Sequence, residues 1–232
     1  MSLASTQAAA PVVTIDGPSG SGKGTVSRLV AQHVSWHLLD SGALYRLVAL
    51  AGGRRGLAAD DMEGHASLAG TMDAAFGVGT FGEERVSLEG TDVTTELRLE
   101  STGQGASRVA AWPPVRLALL ARQRAFARPP GLVADGRDMG TIVFPEAVLK
   151  IFLTASVEER ALRRHKQLKD KGCDVSLAAL SREITERDLR DTSRAVAPLK
   201  PAADAVLIDS TGMAIEAVVA RVLELGSGRL WD

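Results

Sequence analysis

The sequence predicts an α/β fold, a parallel sheet with helices on both faces. Three observations carry this expectation. Short apolar runs rich in β-branched residues recur along the chain, and most are followed by stretches whose apolar residues fall at helical spacing. The first run passes directly into a glycine-rich loop and then a helix. The loops with unusual polar sequence begin where the runs end, which is where ligands sit in open parallel sheets.

Residues 12–15 form the first expected strand, Val12, Val13, Thr14 and Ile15. Asp16 follows, then Gly17, Pro18, Ser19, Gly20, Ser21, Gly22 and Lys23, in the spacing G-x-x-x-x-G-K. Val26, Leu29, Val30 and Val34 then mark a helix. Strand, glycine loop and helix together are the context of a P-loop. Its backbone N–H groups turn inward onto phosphate oxygens, and residues without a Cβ allow that approach. The helix N-terminus adds partial positive charge, and Lys23 can reach the β- and γ-phosphates. The alternative is a plain glycine-rich turn. Where the motif normally has Ser or Thr, this chain has Gly24, with a hydroxyl one place later at Thr25. Direct magnesium ligation from that position is therefore not expected.

Residues 36–40 form a second short strand, and Asp40-Ser41-Gly42 offers a helix N-cap ahead of Leu44, Leu47, Val48 and Ala51. Gly52-Gly53 ends that helix, and 60–70 is a weak helical stretch. Residues 73–100 differ in texture. Short strands at 74–79, 85–88 and 92–93, separated by glycine turns, suggest a small antiparallel insert. Two helices follow, one up to 111 and one from 115 to about 127, broken at Trp112-Pro113-Pro114. The apolar run 132–134 leads into Asp135-Gly136-Arg137-Asp138, and 148–153 is the next strand. A charged helix over 156–171, a helix over 177–190, a last strand at 205–208 and a last helix over 215–225 complete the chain.

At 232 residues, with 45% hydrophobic and 24% charged residues, the composition is that of a globular chain. A net charge of −1 argues against a dedicated nucleic-acid or membrane-surface binder. No apolar run approaches the roughly 18 residues of a membrane span. Residues 1–10 lack the pattern of a signal peptide and are expected to be a disordered leader. Cys173 is the single cysteine, so no internal disulfide can form. Cytoplasmic location is the expectation. His33, His37, His65 and His165 show no metal-ligand spacing and read as structural or surface residues, and Trp36 and Trp231 read as packing residues.

The P-loop stretch from Val12 to Thr25, together with Leu39-Asp40-Ser41-Gly42-Ala43-Leu44-Tyr45-Arg46, resembles bacterial cytidylate kinase. So do Asp135-Gly136-Arg137-Asp138-Met139-Gly140-Thr141, Glu186-Arg187-Asp188 and Arg194-Ala195-Val196-Ala197-Pro198-Leu199. The resemblance spans about 11–225. G-K-G-T alone marks nucleoside monophosphate kinases in general, whereas G-R-D-M-G-T and R-A-V-A-P-L point to the cytidylate branch. It implies a single kinase domain with a five-stranded parallel core. It also implies a monophosphate-binding region at about 41–110, which contains the antiparallel insert, and a short lid at about 157–175. The implied reaction is phosphoryl transfer from ATP, carried with Mg2+, to CMP or dCMP. The expected partners are small nucleotides, with no nucleic acid and no membrane, acting on a monomer.

Such a transfer needs charge neutralisation, in-line positioning and exclusion of water. By resemblance, Gly17 to Thr25 bind ATP, and Arg46 grips the acceptor phosphate together with Arg137. The bland reading of Arg46 is a solvated helix arginine. Asp138 can accept a hydrogen bond from a cytosine amino group, which a uracil carbonyl cannot offer. The family pattern adds Ser41, Tyr45, Ser107 and Arg116 to the CMP site. Arg187 and Asp191 match its sugar-contacting pair, with Arg194 nearby. Arg160, Arg163, Arg164 and Lys166 read either as a charged solvated face or, by resemblance, as lid cations serving the transferring phosphoryl. Asp135 is either a carboxylate acting through magnesium-bound water or a loop anchor. Between Arg98 and Ser107 the sequence departs from the family. Gly103 and Gly105 each cost a helix about 1 kcal/mol against alanine. Pro114 stands where a basic residue is common.

Other readings are a uridylate-preferring kinase, which the Asp138 loop opposes, and a P-loop GTPase switch, for which no N-K-x-D motif is present. A nucleic-acid-dependent ATPase is disfavoured by the charge balance.

Overall fold

A computed structural model describes residues 10–78, 84–170, 172, 174–228 and 230–231. The leader expected before residue 10, the far end of the first insert strand at Gly79, and Lys171 and Cys173 of the expected lid lie outside the described residues.

The chain opens with β1 (Val12–Asp16), α1 (Lys23–His33), β2 (His37–Asp40), α2 (Ser41–Arg54) and α3 (Met62–Thr71). Next come β3 (Ala74–Val78), β4 (Glu84–Leu88), β5 (Thr91–Asp92), α4 (Thr94–Leu97), α5 (Glu100–Val109) and α6 (Pro113–Arg124). Then follow β6 (Leu132–Gly136), a π-helical turn (Met139–Val143), β7 (Leu149–Thr154), α7 (Val157–Lys169), α8 (Leu177–Thr192), β8 (Val206–Asp209) and α9 (Ile215–Gly226). These elements divide into two compact units. One comprises the chain up to Leu39, Arg124–Ser193 and the chain from Ala197; the other comprises Asp40–Gln123 with Arg194–Val196.

The first unit is built on a five-stranded sheet in the order β2-β6-β1-β7-β8. β1 runs parallel to both β6 and β7, and β7 runs parallel to β8. All five residues of β1 are buried, as expected of a strand covered on both faces. Val13 and Ile15 meet Val26 and Val30 of α1, Val133 of β6, Ile151 and Leu153 of β7, and Val218 and Val222 of α9 in one core. Ala161 of α7 packs with Leu180 and Ile184 of α8 in a smaller one. Near the C-terminus Trp231 meets Trp36 edge-on, ring centroids 5.5 Å apart, and its indole N–H donates to the Leu223 carbonyl.

In the second unit β3, β4 and β5 form the expected antiparallel sheet, with Phe76 opposite Val86. α2 starts where the Asp40 carboxylate accepts the Ala43 amide, as the N-cap reading predicts. α5 packs closely on α2: a Cβ on Gly105 would lie 3.0 Å from the Ala49 methyl. His65 of α3 meets Trp112 edge-on at 5.4 Å.

The expectation of a helix break at Trp112-Pro113-Pro114 is half right. The prolines open α6 rather than precede it, because the first helical turn has no intrahelical use for their missing N–H groups. The four-residue helix α4 and the π-helical turn were not expected from sequence.

Candidate active site

Asp16 is in register with Gly136 on one side and with Phe152 on the other, so β1, β6 and β7 end at one edge of the sheet. A ligand at that edge would meet the residues that follow these strands.

After β1 comes the glycine loop. A Cβ on Gly17 would lie 2.0 Å from the Leu153 carbonyl oxygen, so only glycine lets the chain leave the strand there. Gly22 caps α1 in a left-handed conformation, and α1 has neither a side-chain cap nor an acidic residue in its first turn. The Ser21 hydroxyl and the Lys23 ammonium both donate to the Pro18 carbonyl, at 3.1 and 3.3 Å, which closes the loop. A glycine loop at the strand end, a helix start without a side-chain cap and a buried ammonium make a cradle of the kind that binds anions.

Lys23 Nζ stands 4.0 Å from Asp135 Oδ1. A Cβ on Gly24 would come within 3.1 Å of the other Asp135 oxygen, so the glycine that departs from the usual motif makes room for this carboxylate. Asp135 thus places hard oxygen donors beside the cradle, a donor type that suits a hard divalent cation. Among the described residues no group of three or more His, Cys, Asp or Glu side chains is placed to hold a metal.

The arginines of α7 do not form a solvated face. Arg160 is 3% exposed. Its guanidinium donates to the Ser19 carbonyl in the loop at 3.1 Å, to Ala155 at 2.9 Å, and in a fork to Asp188 of α8 at 3.1 and 2.6 Å. Arg163 donates to the loop carbonyl of Ser21 at 3.2 Å, to the Ser210 carbonyl at 2.6 Å and to Glu159 at 2.9 Å. The buried Ser210 hydroxyl donates to Ser21 and Thr154 carbonyls. Two of the expected lid cations therefore grip the loop itself. Arg164 is partly buried beside them on the helix.

After β6, Arg137 donates to the buried Asp191 carboxylate of α8 at 3.1 Å and to its neighbour's carbonyl, Gly136, at 3.2 Å. Two predicted acceptor-site residues are thereby brought together, and Arg187 lies one turn before Asp191 on the same helix. Asp138 is 2% exposed. Asp16 accepts the Met139 and Gly140 amides, both at 2.8 Å. Burial pushes its carboxyl up to about 6, against the pull of those two amides; Asp138 adds to the rise and Arg137 opposes it.

The second unit carries the remaining predicted residues. Ser41 is buried and accepts from the Gln123 side-chain amide at 2.8 Å. The Arg116 guanidinium lies over the Tyr45 ring, 5.6 Å from its centroid, and donates to the Ala110 carbonyl. Arg46 donates to the carbonyls of Leu97 at 2.7 Å and Leu99 at 3.3 Å. A Cβ on Gly103 would come within 3.0 Å of that guanidinium. The Ser107 hydroxyl is buried with no hydrogen-bond partner among the described residues. Arg194 is half-buried.

The family model for cytidylate kinase matches residues 13–227. The chain belongs to the cytidylate kinase family. Among its relatives, the cytidylate kinase of Pseudomonas paraeruginosa is 58% identical over 97% of this chain and 99% of its own. That of Pseudomonas savastanoi pv. phaseolicola is 60% identical over 92% and 94%. That of Stutzerimonas stutzeri is 60% identical over 92% and 93%. An uncharacterised protein from Eubacterium ventriosum superposes over 94% of this chain and 99% of its own with a TM-score of 0.54 at 10% identity, a likeness of fold alone.

In this member of the cytidylate kinase family, sequence reasoning missed Asp16, Gln123, Asp188 and Ser210 as supports of the site. Asp188 stands inside the Glu186-Arg187-Asp188 motif and Asp16 inside the Val12-to-Thr25 stretch, and those were the signals for them. The others are joined to their partners only by the fold.

Proposed function

We propose that the chain transfers the γ-phosphoryl group of ATP to CMP or dCMP, giving ADP and CDP or dCDP. The observation that carries this reading is the anion cradle at the end of the central strand, in a chain of the cytidylate kinase family. An acceptor phosphate oxygen bonds to the γ-phosphorus while the bond to the β–γ bridging oxygen breaks. Little covalent work falls to the protein, so its task is to position, neutralise and keep out water.

On this reading Gly17 to Thr25 hold the ATP phosphates, and Lys23 offsets charge on the β- and γ-groups. Arg160 and Arg163 keep the loop in shape through the Ser19 and Ser21 carbonyls, and Arg137 and Arg164 add positive charge near the transferred group. The second unit, with its insert, is the acceptor-binding region and α7 begins the lid. Arg46 and Arg137 hold the acceptor phosphate. Asp138, Ser107 and Arg116 read the base, with Ser41 and Tyr45 shaping the site, and Arg187, Asp191 and Arg194 hold the sugar. A divalent ion arriving with ATP, Mg2+ on this reading, screens the phosphate charge. Asp135, through water, is the group that would face it. We assign the chain to the cytoplasm as a monomer acting on small nucleotides; no helix among the described residues is long and apolar enough to cross a membrane.

The test is ADP production with Mg-ATP against CMP, dCMP, UMP, AMP and GMP, beside a blank without acceptor. Fast turnover with CMP and dCMP is expected. Preference for UMP would transfer the reading to another kinase specificity, and acceptor-independent hydrolysis would overturn it.

A further inference from the structure

Two peptides of the glycine loop are held by their carbonyls. The Ser19 carbonyl accepts from Arg160 at 3.1 Å, and the Ser21 carbonyl accepts from Arg163 at 3.2 Å and from the Ser210 hydroxyl at 3.1 Å. Both peptides are trans, so each points its C=O and its N–H to opposite sides. The amides of Gly20 and Gly22 belong to these peptides and therefore point away from the groups that hold them. Among the described residues neither amide has an acceptor, and Gly20 is exposed and Gly22 partly so.

One of the holding residues is fixed with unusual completeness. Ser210 follows β8 and is 1% exposed. Its amide and its hydroxyl both donate to the Thr154 carbonyl at the end of β7, at 2.8 and 3.0 Å, the hydroxyl proton being shared with the Ser21 carbonyl. Its hydroxyl oxygen and its carbonyl accept the two arms of the Arg163 guanidinium, at 3.1 and 2.6 Å. Ser210 thus holds Ser21 directly and also sets the guanidinium that holds it a second time. The plain reading is a serine that ends a strand. That task is already met by its amide on Thr154, whereas only the side chain reaches the loop.

We infer that Ser210 is a positioning residue for the phosphoryl donor: it locks the Ser21–Gly22 peptide to the end of β7, so that the Gly22 amide is set for a phosphate oxygen before ATP arrives. This rests on the reading that the loop holds ATP. A donor already fixed in place binds better than one that must turn first, because its ordering cost was met on folding.

The experiment compares wild type with Ser210→Ala, which removes the hydroxyl and keeps the backbone bonds to Thr154 and Arg163. In steady-state kinetics the KM for ATP should rise about fivefold or more, as when one hydrogen bond to the donor is misaligned, while the KM for CMP stays within about twofold. In amide NMR spectra saturating ADP, a product of the proposed reaction, should shift the Gly22 resonance of wild type, and that of Ser210→Ala by less than about half as much. A shift that Ser210→Ala retains in full, with an unchanged KM for ATP, overturns the inference and leaves the loop as the donor site. If ADP moves neither the Gly20 nor the Gly22 amide of wild type, the donor-site reading has failed and the inference falls with it. Equal rises in both KM values with a lowered Tm would make Ser210 a support of the fold and nothing more, which also overturns it. Amide relaxation in the unliganded wild-type chain needs no variant. A Gly22 order parameter of about 0.85, that of rigid backbone, supports the lock, and one below about 0.6 overturns it.

Discussion

Replacing Asp188 with alanine removes the carboxylate that meets Arg160 through two hydrogen bonds. The Arg160 side chain is 4% exposed and that of Asp188 22%. Deleting one partner of a buried pair costs about 3–5 kcal/mol, because the other charge is left stranded. Solvent reaches Asp188, and Arg160 keeps the carbonyls of Ser19, Ala155 and Ser156. The lower figure, about 3 kcal/mol, is therefore expected. For a chain of this size that lowers Tm by about 6–12 °C, which a thermal melt followed by circular dichroism measures directly. Turnover should fall about tenfold or more, because Arg160 then holds the Ser19 carbonyl less firmly and the loop loses its set position. The double replacement Arg160→Met/Asp188→Leu separates the two effects. Apolar side chains of similar volume should restore most of the stability and none of the turnover. A single variant melting within about 2 °C of wild type would mean the pair contributes under about 1 kcal/mol, and the reasoning would fail. Full activity in the double variant would remove Arg160 from the transfer.

Three further outcomes are expected. Lys23→Ala should lower kcat about 100-fold or more without unfolding the chain, by loss of a preorganised charge at the phosphates; near-normal turnover in an ADP-release assay would sink that role. Asp16 has a folded pKa of about 6 against an unfolded 3.8. Its stabilising contribution is thus whole below about pH 4 and is lost as pH rises through 6, about 3 kcal/mol in total. Urea melts should show wild type losing stability relative to Asp16→Asn over that window, and a constant difference between the two would contradict it. Gly103→Ala puts a methyl group 3.0 Å from the Arg46 guanidinium, which must then give by a few tenths of an ångström against its bond to the Leu97 carbonyl. The KM for CMP should rise about fivefold, worth roughly 1 kcal/mol, with the KM for ATP unchanged; an unchanged KM for CMP would show that Arg46 has room to move.

The strands, the glycine loop and most helices were legible because their signals are local. Val12 to Ile15 is an unbroken β-branched run followed by a carboxylate, and Gly17, Gly20 and Gly22 of the loop all take positive φ. The two glycines of α5 show where local signals mislead. Counted alone, Gly103 and Gly105 weaken a helix. In the fold they let it approach Arg46 and Ala49, and tertiary contact outweighs propensity. Arg160 was ambiguous for a related reason: its partner lies on the next helix, 28 residues on, so sequence spacing cannot distinguish a buried clamp from a wet surface. The π-helical turn was hidden altogether, since its cap comes from a different strand.

The chain has three tryptophans, and the fold shares them between its two units. Trp36 and Trp231 touch one another in the first, and Trp112 touches His65 in the second. Each unit thus carries its own optical reporter. Trp112 emission therefore follows the second unit, and that of the paired indoles follows the first, without any label. A chain cut back before Trp231 would lose the paired signal and keep that of Trp112. Fluorescence followed during unfolding can then show whether the two units melt as one cooperative body or in sequence.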